Sequence, residues 1–217
     1  MSREAEASRP RPRERIIETA RDLFRKHGFR GVGVDAIAEA AGTNKMTLYR
    51  HFGSKDDLIA SCLSEVAIQA QAMWKDFESE RPDDPMGQLH AWVGRATACA
   101  MGDSRGCDIA NAAVELTEPN HPARKVIEQF KRDHRDRLAR LCRAAGVAQA
   151  DLLADALTLL LEGARMSWQS VGTDGPGARF VEISNAVIAC FCENAERSGA
   201  MPAARSSDGD LFAMPGA

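Results

Sequence analysis

Apolar residues recur at every third or fourth position along almost the whole of this sequence, and that rhythm constrains the fold more than any other feature. A helix turns once in about 3.6 residues, so such spacing gathers the apolar side chains into one stripe. A half-buried strand needs strict alternation, and no segment between turn signals shows it. The pattern predicts long helices over 13–27, 56–79, 85–100, 122–145, 149–172 and 177–197. It predicts short ones over 35–41, 44–52 and 108–116. Breakers stand where these should end: Gly28 and Gly31, Gly42, Pro82 and Pro85, Pro119 and Pro122, Gly146, and the run from Gly172 to Gly177. The expected fold class is all-α, with about nine helices.

With 217 residues the chain can bury a real core without staples. The charged, Pro-bearing residues 1–12 and the small, polar residues 199–217 read as a disordered arm and tail. No apolar run is long enough to span a membrane, and the first residues lack the apolar stretch of a secretory signal. The expected location is therefore cytoplasmic, with no membrane partner. Cys62, Cys99, Cys107, Cys142, Cys190 and Cys192 lie scattered in apolar patterns, which suits buried thiols in a reducing compartment. No Cys/His cluster has zinc-ligand spacing, and no metal or cofactor is expected. Phosphate-cradling, nucleophile-elbow and metalloprotease motifs are all missing, so no catalytic residue is assigned and enzymatic activity is not expected.

The net charge is −3, but it is unevenly spread. Residues 1–60 carry 12 Lys+Arg against 9 Asp+Glu, and residues 61–217 carry 16 against 22. A basic amino-terminal module on an acidic body fits a reader of nucleic acid, whose phosphates need cations.

The details of residues 13–60 sharpen that reading. Ile16, Ile17, Ala20, Leu23 and Phe24 form one stripe on the first helix. Val34, Ile37, Ala38 and Ala41 offer a narrow face of mostly small residues, over which another helix can cross closely. Gly42 can adopt the positive φ of a tight turn, and Asn44 is a good N-cap for the next helix. In that helix Leu48 and Phe52 can face inward together, leaving Lys45, Met46, Thr47, Tyr49, Arg50 and His51 largely outside. A short helix with one narrow buried edge and many hydrogen-bonding side chains meets the needs of a major-groove reader. Lys45, Met46 and Arg50 are candidates for base edges; Thr47, Tyr49 and His51 are candidates for phosphates. Ser54 reads as the cap of the following helix, where Lys55 can join the helix dipole in holding a phosphate.

These residues resemble the DNA-binding domain of the TetR family of repressors. The resemblance runs from Arg15 to Leu63 and rests on Ile16, Ala20, Leu23, Phe24, Gly28, Ile37-Ala38, Ala41-Gly42, Thr47-Leu48-Tyr49, Phe52, Ser54-Lys55 and Leu58. It implies a three-helix helix-turn-helix domain over 13–60, a recognition helix over 43–52, and backbone contacts from Tyr49 and Lys55. It also implies a helical ligand-binding and dimerisation domain over 61–198, a palindromic operator as partner, and release by a small-molecule effector. Two positions depart from the family pattern. Gly33 stands where a capping Thr or Ser is frequent, and Met46 stands where a small residue or Pro is frequent.

The body is less explicit. A stretch from Arg105 to Glu115, followed by His121-Pro122, is similar to a motif of one TetR branch, with Asp108 read as a helix N-cap. Helices 149–172 and 177–197 are apolar on more than one face and so need a second partner, expected to be the other subunit of a homodimer, with Ile188 among the exposed apolar positions there. Trp92, Met101, Met166 and Trp168 are candidate walls of a ligand cavity, with Asn111, Glu115 and His90 as polar anchors. That cavity is expected where the 56–79 helix meets the 85–100 and 149–172 helices. The cation-rich segment 124–143 reads as a solvated helix face paired with Glu128, Asp133 and Asp136. The alternative is a DNA-binding regulator controlled by a partner protein or by cysteine oxidation.

Overall fold

The computed structural model describes residues 11–102 and 106–199, apart from the side chains of residue 100 and residues 194–199. The arm expected over 1–12 and the tail expected over 199–217 fall almost wholly outside these residues. The chain is all-α. Among the described residues nine helices follow in order: α1 (Pro12–Gly31), α2 (Val34–Ala40), α3 (Lys45–Phe52), α4 (Lys55–Glu80), α5 (Pro85–Met101), α6 (Asp108–Glu115), α7 (Pro122–Ala144), α8 (Ala150–Val171) and α9 (Phe180–Gly199). Two 3₁₀ turns, Gly172–Asp174 and Pro176–Arg179, join the last pair, and the described residues hold no strand. No helix among them is long and apolar enough to cross a membrane.

Two cores organise these helices. The first gathers α1, α2, α3, the start of α4, α6 and the start of α7 around Ile16, Phe24, Ile37, Leu48, Leu58, Ile109 and Ile127. The second gathers the end of α4, α5, the end of α7, α8 and α9 around Trp74, Leu89, Trp92, Leu138, Leu153, Leu157 and Ile188. Among the described residues, α4 and α7 alone supply buried side chains to both. Neither helix is buried in between: α4 has no buried residue from 64 to 73, and α7 has none from 128 to 137.

Three expectations change here. Asp108 is not a cap; Cys107 flanks α6, and Asp108 is its first helical residue, with its carboxylate turned back onto α1. The cations of α7 pair along their own helix only in part, Arg132 with Glu128 and Arg135 with Asp136; the closer pairs reach α8: Arg135 with Asp151 and Asp155, Arg143 with Asp151, and Lys131 with Glu162. The reason is that α7 is a central helix whose opposite face seats Leu138, Ala139 and Cys142 in the second core. Ile188, expected to lie exposed on the partner-facing side of the last helix, is only 2% exposed.

Candidate nucleic-acid interface

The sequence builds α3 as a helix with a sealed edge. The Asn44 side chain caps it, its Oδ1 accepting the Thr47 N–H at 2.9 Å. The preceding turn uses Gly42 at φ 62°, a left-handed conformation that costs glycine little. Leu48 is fully buried and Phe52 nearly so, which fixes the rotation of the helix about its axis. Met46 is then 77% exposed, and Tyr49, Arg50 and His51 also face out, with Thr47 half-buried at the edge. Lys45 holds Asp35 of α2, Nζ to Oδ2 at 3.1 Å, and that carboxylate raises the pKa of the ammonium. At the start of α4, the Ser54 Oγ accepts the Asp57 N–H at 3.0 Å. Lys55 beside it is half-buried, and burial lowers its pKa. Gly33 heads α2 without a side-chain cap.

This reader is clamped to α6 and the start of α7. Asp108 is almost fully buried and accepts two hydrogen bonds from Arg25, at 2.7 and 3.0 Å, the two-pronged geometry that guanidinium and carboxylate favour. Arg21 reaches the same carboxylate at 3.5 Å. Near the end of α1, Gly28 breaks the helix at φ 74°, and the Phe29 N–H just beyond donates to Glu115 Oε2 at 2.8 Å. Arg30 pairs with Glu118. His121 caps α7 by accepting the Ala123 N–H at Nδ1, so its proton sits on Nε2, which lies 3.4 Å from Asp56 of α4.

Two grooves mark the body. One, of about 450 Å³, opens between α4 and α7 where the two cores fail to meet; Ala67, Ile68, Trp74, Phe130, His134 and Arg137 are among its walls. The other, of about 560 Å³, lies along α8 and α9 and is lined by Ala156, Leu159, Leu160, Gly163, Ala164, Phe180, Ile183 and Val187, among others, with no charged side chain.

A family profile described as "Bacterial regulatory proteins, tetR family" matches residues 16–62, the reader just built. The regulatory protein RaaS of Mycobacterium tuberculosis is 51% identical over 58 residues, covering 27% of each chain. The transcriptional repressor SCO4008 of Streptomyces coelicolor is 33% identical over 81 residues, covering 37% of this chain and 38% of its own. The chain thus matches well under half the length of these curated relatives. A solved structure extends the likeness over the body: SCO4454, a TetR-family regulator of Streptomyces coelicolor, superposes with a TM-score of 0.76 at 25% identity, covering 83% of this chain and 95% of that one. Residues 16–62 thus match the TetR-family profile, and the whole fold is similar to that of a TetR-family regulator.

The reader is easier to foresee than the body. The structure keeps Asn44, Lys45, Met46, Thr47, Tyr49, Arg50, His51 and Lys55 on or beside α3, though Asn44 spends its side chain on the cap. It does not bring the candidate ligand residues together. Trp92 is sealed in the second core, and Met101 packs partly buried against that core. Asn111 and Glu115 belong to the clamp under α1. Met166 is 59% exposed on α8, and Trp168 is half-buried near the end of that helix, its carbonyl accepting the Gly172 N–H. His90 is exposed and bonded to Asn185. The α4 groove faces α7 rather than α5 and α8. Its wall residues Ile68, Phe130 and His134 were missed because helical spacing alone cannot distinguish a stripe that meets its partner from one that does not.

Proposed function

We propose that this chain is a cytoplasmic DNA-binding transcriptional repressor that holds a palindromic operator as a homodimer and releases it when a small molecule enters the body. The observation that carries the reading is α3: a capped helix, rotationally fixed by Leu48 and Phe52, presenting Met46, Tyr49, Arg50 and His51 to solvent. Arg50 and Lys45 reach base edges, with Met46 against a thymine methyl. Tyr49, Thr47, His51 and Lys55 hold phosphates and set the register. The repressor names of relatives such as SCO4008 favour repression over activation.

Residues 13–60 act as the reader and 61–198 as the body, and α8 and α9 form the two-fold interface that sets the two readers side by side. The effector enters the groove between α4 and α7. It works by preferring a spacing of readers that does not fit DNA. Control by oxidation of the interior thiols is disfavoured: burial pushes Cys62 up to about 12 and Cys142 up to about 11, far from the thiolate form that oxidants attack.

The test is equilibrium binding of the full chain to duplex selected from a random pool. Replacing Tyr49 with Phe together with Lys55 with Ala weakens all sequences alike. Replacing Arg50 with Ala also flattens base preference, by roughly 1–3 kcal/mol at one position. Unchanged affinity in the first variant removes the backbone assignment.

A further inference from the structure

The gap between the two cores has a chemistry of its own. Along α4 it is walled by Ala67, Ile68 and Trp74, and along α7 by Phe130 and His134. Ile68 is 56% exposed, an apolar side chain that neither core covers. Lys125 stands on the reader side and Arg137 three turns further along α7, on the body side, both lining the groove. Neither has an ion-pair partner among the described residues, although most other cations of α7 do. The one carboxylate in the lining, Asp133, already accepts a hydrogen bond from Gln129. His134 stacks on Phe130 and touches the rings of Trp74 and Trp92, and its Nε2 is buried without a partner. The groove is therefore an elongated apolar slot with an aromatic wall and unpaired positive charge at each end. A volume of about 450 Å³ is that of an ordinary small-ligand site.

We propose that the α4–α7 groove binds an elongated apolar organic anion, a carboxylate on a hydrocarbon body. The body of the ligand lies over Ile68 and the Phe130–Trp74 wall, and the carboxylate pairs with Lys125 or Arg137. This assignment rests on the proposed effector role of the groove only for its regulatory consequence. The consequence follows from position: α4 and α7 each pass from one core to the other across this gap. An occupant supplies apolar contact where both helices lack it, so its binding tends to fix the direction in which they leave the reader. The clamp at Asp108 and His121 carries that change to α1 and to the head of α4.

The test uses the full chain with 1-anilinonaphthalene-8-sulfonate, an apolar aromatic anion that fluoresces when it leaves water. The bound probe is displaced with three sub-micellar competitors that share one hydrocarbon chain: dodecanoate, dodecanol and dodecyltrimethylammonium. The proposal expects dodecanoate to displace at a concentration roughly tenfold lower than dodecanol, as a charge-assisted contact would give, with dodecyltrimethylammonium weakest. The Lys125→Gln/Arg137→Gln variant loses that preference while still binding dodecanol. Ile68→Glu, a change at an exposed position that leaves both cores intact, reverses the order in favour of dodecyltrimethylammonium. Equal displacement by dodecanoate and dodecanol overturns the proposal, as does a preference that survives the double replacement. Operator release is read separately on labelled duplex. Selective dodecanoate binding without release upholds the ligand class and removes the effector role; release by some other compound, with no anion preference in the groove, does the reverse.

Discussion

The two grooves of the body are of similar size and opposite character. The α8–α9 groove has no charged side chain, and small residues along it, Ala156, Gly163 and Ala164, let another backbone come close. Leu159 within it is 72% exposed, and Leu152 on the same helix is 56% exposed. The α4–α7 groove is walled by aromatic rings and flanked by Lys125 and Arg137. The first has the composition of the centre of an obligate interface, depleted of charge. The second has the composition of a ligand site, mostly apolar with a few convergent polar groups. The difference teaches that two apolar depressions in one helical body can be assigned by the charges around them rather than by size.

The comparison breaks most visibly at Leu159. Leu159→Asp should leave the fold intact and convert a dimer to a monomer in light scattering. Operator affinity should fall by roughly a hundredfold or more, because each reader then binds without its twin. Dodecanoate binding in the other groove should be unchanged. Ile188→Asp, one helix away, should instead unfold the chain, since it buries a charge at a position 2% exposed.

At the reader end of the α4–α7 gap, Asp108→Ala leaves Arg21 and Arg25 without their carboxylate. The loss expected in urea melts is about 3 kcal/mol, the low end for breaking a buried pair because Arg25 is a third exposed. A loss within error would mean that the clamp carries little.

His134 sharpens the same groove by pH. Burial, aided by Arg165, lowers its pKa from 6.5 to about 4. Lys131 and Arg137 act in the same direction, and Glu162 opposes them. Between those values the unfolded chain binds the proton and the folded chain does not. The contribution of His134 to stability is therefore full above pH 6.5 and is lost as pH drops towards 4. The contribution is about 2 kcal/mol, reduced for the partial exposure of the ring. His134→Phe should flatten this segment of the stability–pH curve, measured by urea melts at pH 7 and pH 4.5; parallel curves for the two proteins would refute the assignment. Smallest of all, Asn44→Ala should cost about 1 kcal/mol through the lost cap and weaken operator binding modestly, leaving both grooves as they were.

What the sequence disclosed follows the same division. The fold of the reader was legible because it is written in local terms: a glycine turn, a cap, two inward residues four apart and the polar side chains between them. Even its departures at Gly33 and Met46 could be read in place. Helix order and ends in the body were legible too, through spacing and breakers. The α4–α7 groove was not, because it consists of a failure of two helices to bury each other between Leu63 and Trp74 and between Ile127 and Leu138. Ile68 and Phe130 have ordinary core spacing, and only the tertiary arrangement leaves them open. Asp108 misled for a related reason. An acidic residue at a helix start reads as a cap, and nothing local reveals two arginines more than eighty residues earlier. Trp92 was misplaced by treating a large adaptable side chain as a cavity wall when its size makes it a filler of the core.

The central claim is that α3 reads a two-fold DNA site. Its most direct test is to select duplex from a random pool with the full chain and measure the stoichiometry and salt dependence on the enriched sequence. The account predicts a palindrome with half-sites about one helical turn apart or a multiple of it, with an even number of chains bound, and affinity that falls steeply with salt. Enrichment of a sequence without two-fold symmetry bound by a single chain, or no enrichment at all, would contradict it.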